Sequence, residues 1–352
     1  MPSPRLKPVS RQVIVLTGAT SGIGLATARM AARRGAKLVL TARNAEALSE
    51  LAEELRAAGA QAEWIAADVA DKPAMERVAA FAVERFGGFD TWVNDAGAFT
   101  LGHVEDTPYD DHRRVFDVIY WGVVHGTQAA LDHLKGRPGG GAIVNIGSIL
   151  SDRTIALQGP YCAAKHAVKG ITDAVRMEAR MRGYPVSVSL IKPAAIDTPY
   201  AEHLRNLTDA PGARLPPPVY HPRLVAIAIL HAAEHQVRDL TVGGAGAMIS
   251  FVGNLLPSFT DAAMVAAAKR LQTTSVPPRP ERADNLHQPR ADLAERSSKG
   301  VKVRETSLLL QAQMNPISTM VATAVGLIGL AALMRSRPMP AWQRAARRLA
   351  RM

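Results

Sequence analysis

The sequence predicts an α/β fold in which a doubly wound parallel sheet of about seven strands carries helices on both faces. Two observations predict it. Short runs rich in β-branched and aliphatic residues recur along the first 245 residues, as expected for strands buried on both faces. Stretches with helical periodicity separate these runs and are long enough for the crossovers that parallel strands need. With 352 residues, 47% of them hydrophobic, the chain can bury a sizeable core.

The elements follow in a regular order. Strands are predicted at residues 13–17, 37–41, 63–67, 91–94, 142–147, 186–191 and 239–242. The clearest helical patterns lie at 45–58, 73–86 and 110–134. The resulting organisation is an N-terminal arm 1–10, a nucleotide-binding domain 11–245, an extra helical segment 246–271, a flexible linker 272–310, a candidate membrane helix 317–334 and a basic tail 335–352.

Residues 200–222 interrupt the alternation of strands and helices. They contain Pro211-Gly212 and three consecutive prolines, Pro216 to Pro218, within a polar stretch. A loop this long inside a compact domain is commonly a lid or a binding loop. We expect a substrate lid, with an inert surface loop as the alternative.

A glycine-rich turn follows the first predicted strand, with the sequence TGATSGIG from Thr17 to Gly24. Glycines allow the backbone to turn tightly and to approach a pyrophosphate, which then lies at the N-terminus of the next helix. Because the run lies between the first strand and the first helix, it predicts a dinucleotide site.

Residues after the next strands indicate which dinucleotide binds. Arg43 follows the second strand, where an acidic residue would bind the ribose hydroxyls of NAD and an arginine accommodates the 2′-phosphate of NADP. Arg43 therefore favours NADP over NAD, although a solvated arginine opening the next helix remains the alternative. Asp68 is placed to reach the adenine edge, and residues 94–97 border the same crevice.

Tyr161 and Lys165 lie four residues apart and share one helix face. A phenol is a poor acid or base at neutral pH, and a nearby positive charge lowers its pKa toward the working range. The spacing therefore predicts an acid–base pair once the nucleotide turn is taken into account.

Together these residues resemble the short-chain dehydrogenase/reductase superfamily over about residues 10–245. The motifs are TGATSGIG, Asn94-Asp95-Ala96-Gly97, Ser148 placed 13 residues before Tyr161, the run YCAAK, and Lys192-Pro193 leading to Asp197-Thr198-Pro199. The resemblance implies a single Rossmann-type domain, often oligomeric, that transfers a hydride between nicotinamide and a carbonyl or alcohol. It implies that Tyr161 is the general acid–base, that Lys165 lowers its pKa and that Ser148 polarises the substrate oxygen. The cofactor contacts that it implies are Gly18, Ser21, Gly22, Ile23, Gly24, Arg43, Asp68, Val69, Asn94, Ala96, Gly97, Tyr161, Lys165, Ile196 and Thr198.

The chain departs from the family pattern at two positions. Asp95 replaces a common asparagine, a change of similar shape from which we expect a small effect. Ile119 stands where family members commonly place an asparagine that helps a water chain deliver protons to the lysine. Since isoleucine cannot bond water, Ile119 motivates an alternative function, a slow or inactive NADP-binding regulatory or scaffold protein.

The net charge of +11 belongs mostly to the C-terminal part. Residues 271–352 carry 13 Lys/Arg and 5 Asp/Glu, whereas residues 1–270 carry 29 and 26. This basic tail lacks interleaved aromatic residues, which favours a membrane surface over a nucleic acid. The single cysteine, Cys162, excludes an intramolecular disulfide, and the histidine spacings predict no metal site.

The candidate membrane helix is 18 residues without a charge and would span about 27 Å. Six arginines follow it. With no signal peptide before residue 13, the catalytic domain is expected on the cytoplasmic side of a membrane, tethered through 317–352. A helix lying in the membrane plane, a soluble cytoplasmic enzyme and an oligomerisation helix are the alternatives.

The sequence thus predicts an NADP(H)-dependent short-chain oxidoreductase, with NAD as the second choice of cofactor. Its expected substrate is a hydrophobic alcohol or ketone, such as a steroid, a retinoid or a long-chain compound.

Overall fold

A parallel sheet of seven strands forms the centre of the computed structural model, which describes residues 3–290, 293–317, 319 and 320. Neighbouring strands lie in the order β3-β2-β1-β4-β5-β6-β7. Every pair is parallel, as in Val15 beside Val39 and Val93 beside Val144. The strands are β1 Val13–Thr17, β2 Lys37–Ala42, β3 Ala62–Ala66, β4 Thr91–Asn94, β5 Gly141–Ile146, β6 Val186–Pro193 and β7 Asp239–Val242.

Helices cover both faces of this sheet, and α1 packs on α8 while α3 packs on α5. The predicted Rossmann-type, doubly wound fold is therefore confirmed. The helices are α1 Gly22–Arg33, α2 Ala45–Ala57, α3 Lys72–Phe86, α4 Tyr109–Phe116, α5 Gly122–Leu134, α6 Gly159–Met181, α7 Tyr200–His203, α8 Pro222–Glu234, α9 Gly244–Leu255, α10 Pro257–Gln272 and α11 Leu308–Met314.

The helix predicted at 110–134 is divided in the structure. A π-helical turn, Asp117–Trp121, separates α4 from α5. A π turn adds a residue to the helical repeat, which hydrophobic periodicity does not resolve. The turn brings the start of α5 against the loop after β3, because a Cβ on Gly122 would lie 2.7 Å from the Val69 side chain.

The strands β1 and β4 are neighbours in the middle of the sheet, and the chain adds its next strands on one side of β1 and then on the other side of β4. In doubly wound sheets, ligands bind in the crevice beyond the carboxyl ends of the strands at such a point. The chain leaves β1 into the glycine-rich turn and leaves β4 into residues 95–99. The predicted site residues from different parts of the sequence therefore meet at this edge.

The predicted lid, residues 200–222, is held to three other parts of the domain. Arg205–Asn206 pairs with Thr100–Leu101, Gly212–Ala213 with Thr273–Thr274, and Val219–Tyr220 with Val303–Arg304. Two of these partners belong to residues 272–310, so the lid and the C-terminal segment form one layer over the crevice.

Residues 272–310, for which composition predicts a flexible linker, lie against the domain where they are described. Leu286 is fully buried and Leu310 nearly so. Charged side chains add ion pairs, including Arg29 with Glu295 at 2.9 Å and Arg296 with Asp197 at 2.6 Å. A few buried side chains and well-placed charges order this segment, although its average hydrophobicity is low.

The chain forms two units, residues 1–310 and 311–352. Within the described residues, no helix has the length and apolar character needed to cross a bilayer. The candidate membrane helix 317–334, apart from residues 317, 319 and 320, and the tail 335–352 lie outside the described residues.

Candidate active site

The glycine-rich turn has the shape that a pyrophosphate site requires. Gly18 adopts a positive φ of 70°, and a Cβ there would lie 3.0 Å from the Ala96 backbone. Gly24, in the first turn of α1, lies so close to the preceding turn that a Cβ would be 2.1 Å from the Gly18 carbonyl oxygen. Side chains at these positions would force α1 away from β1. The N-terminus of α1 therefore faces the crevice, where the helix dipole favours an anion. In this structure the Gly22 N–H donates to the Ala294 carbonyl at 2.9 Å and the Gly24 N–H interacts with Asp95.

The turn is held to the loop after β4 by Thr17. Its Oγ1 accepts hydrogen bonds from the backbone N–H groups of Asp95, at 3.0 Å, and Ala96, at 3.2 Å. The two loops that border the nucleotide crevice are therefore fixed relative to each other by one buried hydroxyl.

Arg43 and Arg114 place positive charge at one end of the crevice. Arg114 Nη2 is 2.6 Å from Asp68 Oδ2, and among the residues that the structure describes no carboxylate forms an ion pair with Arg43. Burial lowers the pKa of Arg43, and the nearby Arg114 lowers it further. Two arginines that share one carboxylate form a site that an additional anion, such as a 2′-phosphate, would stabilise.

The Asn94 side chain points into the sheet and not into the crevice. It accepts a hydrogen bond from Trp92 Nε1 at 2.8 Å and donates to Asn145 Oδ1 at 2.8 Å. Asn145 in turn donates to Thr172. Asn94 is 4% exposed, so its amide joins β4, β5 and α6 beneath the site.

Tyr161, Ser148 and Lys165 meet at the other end of the crevice. Both Tyr161 and Ser148 line the cavity, and interaction with the Ser148 side chain lowers the pKa of the Tyr161 hydroxyl. Lys165 Nζ lies 5.8 Å from the centre of the Tyr161 ring and donates to the Ile146 carbonyl at 2.6 Å. Ser148 is held at the end of β5, where it caps a short 3-10 turn and accepts the Leu150 N–H at 3.0 Å.

The protonation of this trio differs from the sequence expectation. Burial raises the pKa of Tyr161, and the hydrogen bond with Ser148 opposes that rise only in part. Burial also lowers the pKa of Lys165 to about 8. Burial is therefore the largest cause of the pKa shift of each group, and the Lys165 ammonium is turned toward the Ile146 carbonyl.

Asp95 differs from the common asparagine in charge as well as in its small change of shape. Its side chain accepts the Gly24 N–H, and its charge acts on Lys165, whose pKa it raises. Burial raises the pKa of Asp95 well above its ordinary value. The chain therefore holds a titratable carboxyl beside the lysine, where an asparagine would be neutral.

Ile119 is fully buried within the π-helical turn and packs in the main hydrophobic core. Its neighbour Val118 lines the crevice, whereas Ile119 does not. The apolar residues around Ile119 offer no partners for a water chain at this position.

An apolar chamber adjoins Tyr161. Phe99 and Tyr200 pack beside it, with ring centres 5.2 Å and 5.9 Å from that of Tyr161. Tyr200 donates to Gln158 at 2.8 Å, which joins α7 to α6. The nucleotide crevice and this chamber form one cavity of about 360 Å³.

Most predicted site residues line this cavity, and Asn94 and Gly24 do not. The sequence interpretation did not include several other lining residues. Most of those from the lid and from α9 and α10 are apolar and belong to no motif, whereas the charge of Arg290 could have indicated an anion site. The residues missed include Thr20, Phe99, Arg153, Gln158, Tyr200, His203, Leu215, Pro216, Pro217, Pro218, Ile249, Ser250, Met264, Leu271, Asn285, Pro289 and Arg290.

Comparisons with known proteins identify the family and the fold of this chain. The family model for short chain dehydrogenases matches residues 12–208. An uncharacterized oxidoreductase of Bacillus subtilis, YxnA, is 42% identical over 333 residues, which cover 95% of this chain and 93% of that protein. A 3beta-hydroxysteroid dehydrogenase of Mediterraneibacter gnavus is 34% identical over 192 residues, which cover 54% of this chain and 68% of that protein. The structure is similar to an alcohol dehydrogenase from Thermococcus sibiricus complexed with 5-hydroxy-NADP. That match has a TM-score of 0.57 and 28% identity, and it covers 66% of this chain and 95% of that one.

Proposed function

Because the chain belongs to the short-chain dehydrogenase family and is an NAD(P)-dependent oxidoreductase, we propose that it uses NADP(H) to interconvert a hydrophobic alcohol and its carbonyl compound. The observation that carries the proposal is the single cavity that holds Tyr161, Ser148 and Lys165 at one end and Arg43 at the other. A dinucleotide can reach both ends at once only in a continuous cavity.

Each side chain of the trio has a separate task in carbonyl reduction. When bound, the nicotinamide supplies a hydride to the carbonyl carbon. Ser148 donates a hydrogen bond to the carbonyl oxygen and holds it beside Tyr161. Tyr161 transfers its proton to that oxygen, so the product is an alcohol and the phenol becomes a phenolate. The Lys165 ammonium stabilises the phenolate, and a proton from solvent restores the phenol.

Arg43 supports NADP(H) as the cofactor, because no carboxylate of the described part of the chain forms an ion pair with it and Arg114 adds charge nearby. Arg43→Ala is expected to raise the dissociation constant of NADPH roughly tenfold or more, since a charge-assisted hydrogen bond to phosphate is lost. NADH binding is expected to change much less. Titration of protein fluorescence with both nucleotides measures this, and an equal loss for NADH would argue against a 2′-phosphate contact.

The lining of the chamber supports a hydrophobic substrate. Leu215, Ile249, Met264 and Leu271 face it together with Phe99 and Tyr200. Transfer of apolar surface from water into such a lining contributes about 25 cal/mol per Å². Steroids, retinoids and long-chain ketones match this lining, and one relative is named as a hydroxysteroid dehydrogenase.

A panel of such ketones with NADPH tests the proposal. We expect NADPH oxidation with at least one apolar ketone and loss of that activity in Tyr161→Phe. If NADPH binds tightly but no member of the panel gives Tyr161-dependent oxidation, the alternative of an NADP-binding regulatory or scaffold protein is favoured.

We propose that the protein carries out this reaction while attached to a membrane. Its support lies on α9 and α10, where several large apolar side chains are more than half exposed beside the chamber, namely Met248, Phe251, Leu255, Leu256, Phe259 and Val265. Exposed apolar patches of this kind mark interaction surfaces. We expect the full-length chain to sediment with membranes at high speed. Complete recovery in the supernatant would reject the attachment.

A further inference from the structure

Residues 283–290, called here the crossing segment, lie across the end of the crevice where Arg43 is located. Asn285, Pro289 and Arg290 line the same cavity as Arg43 and Asp68. The segment lies C-terminal to residues 12–208, which match the family. It therefore adds a wall to the nucleotide end from outside the residues that the family model matches.

The crossing segment is fixed to the groups that border the adenosine end. Arg43 donates to the carbonyl oxygens of Asn285, of Leu286 at 3.1 Å and of His287 at 3.4 Å. Arg114 also donates to the Leu286 carbonyl, at 3.2 Å. The three bonds that Arg43 makes to the crossing segment leave two of its five N–H donors for another acceptor. The segment thus orients the arginine without using all of its donors.

Further contacts hold the segment in place. Leu286 is fully buried in the main core cluster, which includes Val69 and Val118. Its neighbour His287 bonds Asp111 at 2.7 Å. Asp284 pairs with Arg205, which follows α7. The position of the segment is therefore determined by apolar burial and by ion pairs together.

Asn285 carries an unsatisfied group on this wall. Its side-chain oxygen Oδ1 is buried and has no hydrogen-bond donor among the residues that the structure describes. A buried acceptor without a donor is costly, so such groups call for a ligand or another explanation. The adenosine part of a nucleotide offers donors of the right kind, the exocyclic amine of adenine and the ribose hydroxyls.

We propose that the crossing segment is part of the nucleotide site, in which Asn285 accepts a hydrogen bond from the adenosine moiety and the backbone at 285–287 positions Arg43 for the phosphate. The proposal rests on the proposed NADP(H) function. It assigns to this chain a nucleotide contact that lies more than 70 residues beyond the end of the family match at residue 208.

Asn285→Leu separates this role from a structural one. It removes the acceptor and keeps a side chain of similar size. We expect the dissociation constants of NADPH and of adenosine 2′,5′-bisphosphate to rise roughly five- to tenfold, the value of one hydrogen bond. The melting temperature without nucleotide is expected not to fall, because no satisfied bond is lost. Asn254→Leu, on the exposed surface of α9, is the matched control and should leave both dissociation constants unchanged.

Hydrogen exchange of the unmodified full-length protein provides a second readout. The amides of residues 283–290 are expected to become more protected when adenosine 2′,5′-bisphosphate is added. Unchanged affinity in Asn285→Leu, tighter binding in that variant, or no added protection would each overturn the inference. If the wild type binds neither nucleotide, the proposed function fails with it. If the wild type binds both nucleotides and reduces ketones, the proposed function stands, and the three results above test only the role of the crossing segment.

Discussion

At the scale of single residues, the site contains three titratable groups that burial shifts away from their ordinary behaviour. The pKa of Tyr161 is raised, that of Lys165 is lowered to about 8 and that of Asp95 is raised well above its ordinary value. A cavity with perturbed acids and bases is typical of an active site. The pKa of Lys165 is shifted in the opposite direction from those of Tyr161 and Asp95, so its titration can be followed separately.

The lowered pKa of Lys165 predicts a pH-dependent stability. Between its folded pKa of about 8 and its ordinary value of 10.5, the unfolded chain holds a proton that the folded chain has lost. The lysine therefore destabilises the fold at neutral pH, and this penalty shrinks as the pH rises through the window. Lys165→Met is expected to melt at a higher temperature than the wild type at pH 7, and the difference should narrow by pH 9.5. A difference that is constant with pH would contradict this.

Asp95 raises the pKa of Lys165, so its removal should have a measurable effect on catalysis. In Asp95→Asn the amide oxygen can still accept the Gly24 N–H, but the charge is lost. We expect the alkaline limb of the pH profile of kcat/KM to move to lower pH, because Lys165 loses its proton earlier. Asp132→Asn, a change at an exposed surface carboxylate, is the control. Superimposable profiles for Asp95→Asn and the wild type would show that Asp95 has no electrostatic role.

At the scale of single residues, the sequence predicted which residues form the site better than it predicted their side-chain directions and pKa values. Ser148, Tyr161 and Lys165 were predicted from spacing and resemblance, and the structure brings them together. The direction of the Asn94 side chain and the raised pKa of Tyr161 depend on what is packed around them. Those neighbours come from β5, α6 and α7, and no local pattern encodes them.

At the scale of elements, the π-helical turn at Asp117–Trp121 separates an apolar interior from the crevice. Ile119 fills the interior side and is fully buried. An asparagine in the same place would lose that packing and bring a buried amide without evident partners.

This predicts a clear difference between two substitutions. Ile119→Asn is expected to lower the free energy of unfolding by about 3 kcal/mol, whereas Ile119→Val should cost about 1 kcal/mol. Urea unfolding of both variants measures the difference. Equal losses would mean that the site holds water or a polar partner that satisfies the amide, and a proton route through this position would then become credible.

The strands and helices themselves were predictable because buried parallel strands and amphipathic helices have strong periodic patterns. All seven predicted strands are present. The lid was predicted only as an interruption, since its two-residue strands are too short for periodicity and pair with residues far away in sequence.

At the scale of the whole molecule, the crevice is closed by a layer that composition did not predict. Residues 272–310 are rich in Pro, Arg and Ser, and this composition predicts a linker. Their order comes from single contacts, such as Leu286 in the core and Arg296 on Asp197. Average composition is insensitive to a few side chains that fit a preformed surface.

The central claim is that Tyr161 supplies the proton in a hydride transfer that uses NADPH. Single-turnover oxidation of bound NADPH by an accepted apolar ketone, followed in the wild type and in Tyr161→Phe, tests it most directly. The account predicts that the chemical step slows about 10²–10⁴-fold in the variant while the dissociation constant of NADPH stays unchanged. A variant that oxidises bound NADPH as fast as the wild type would contradict the account.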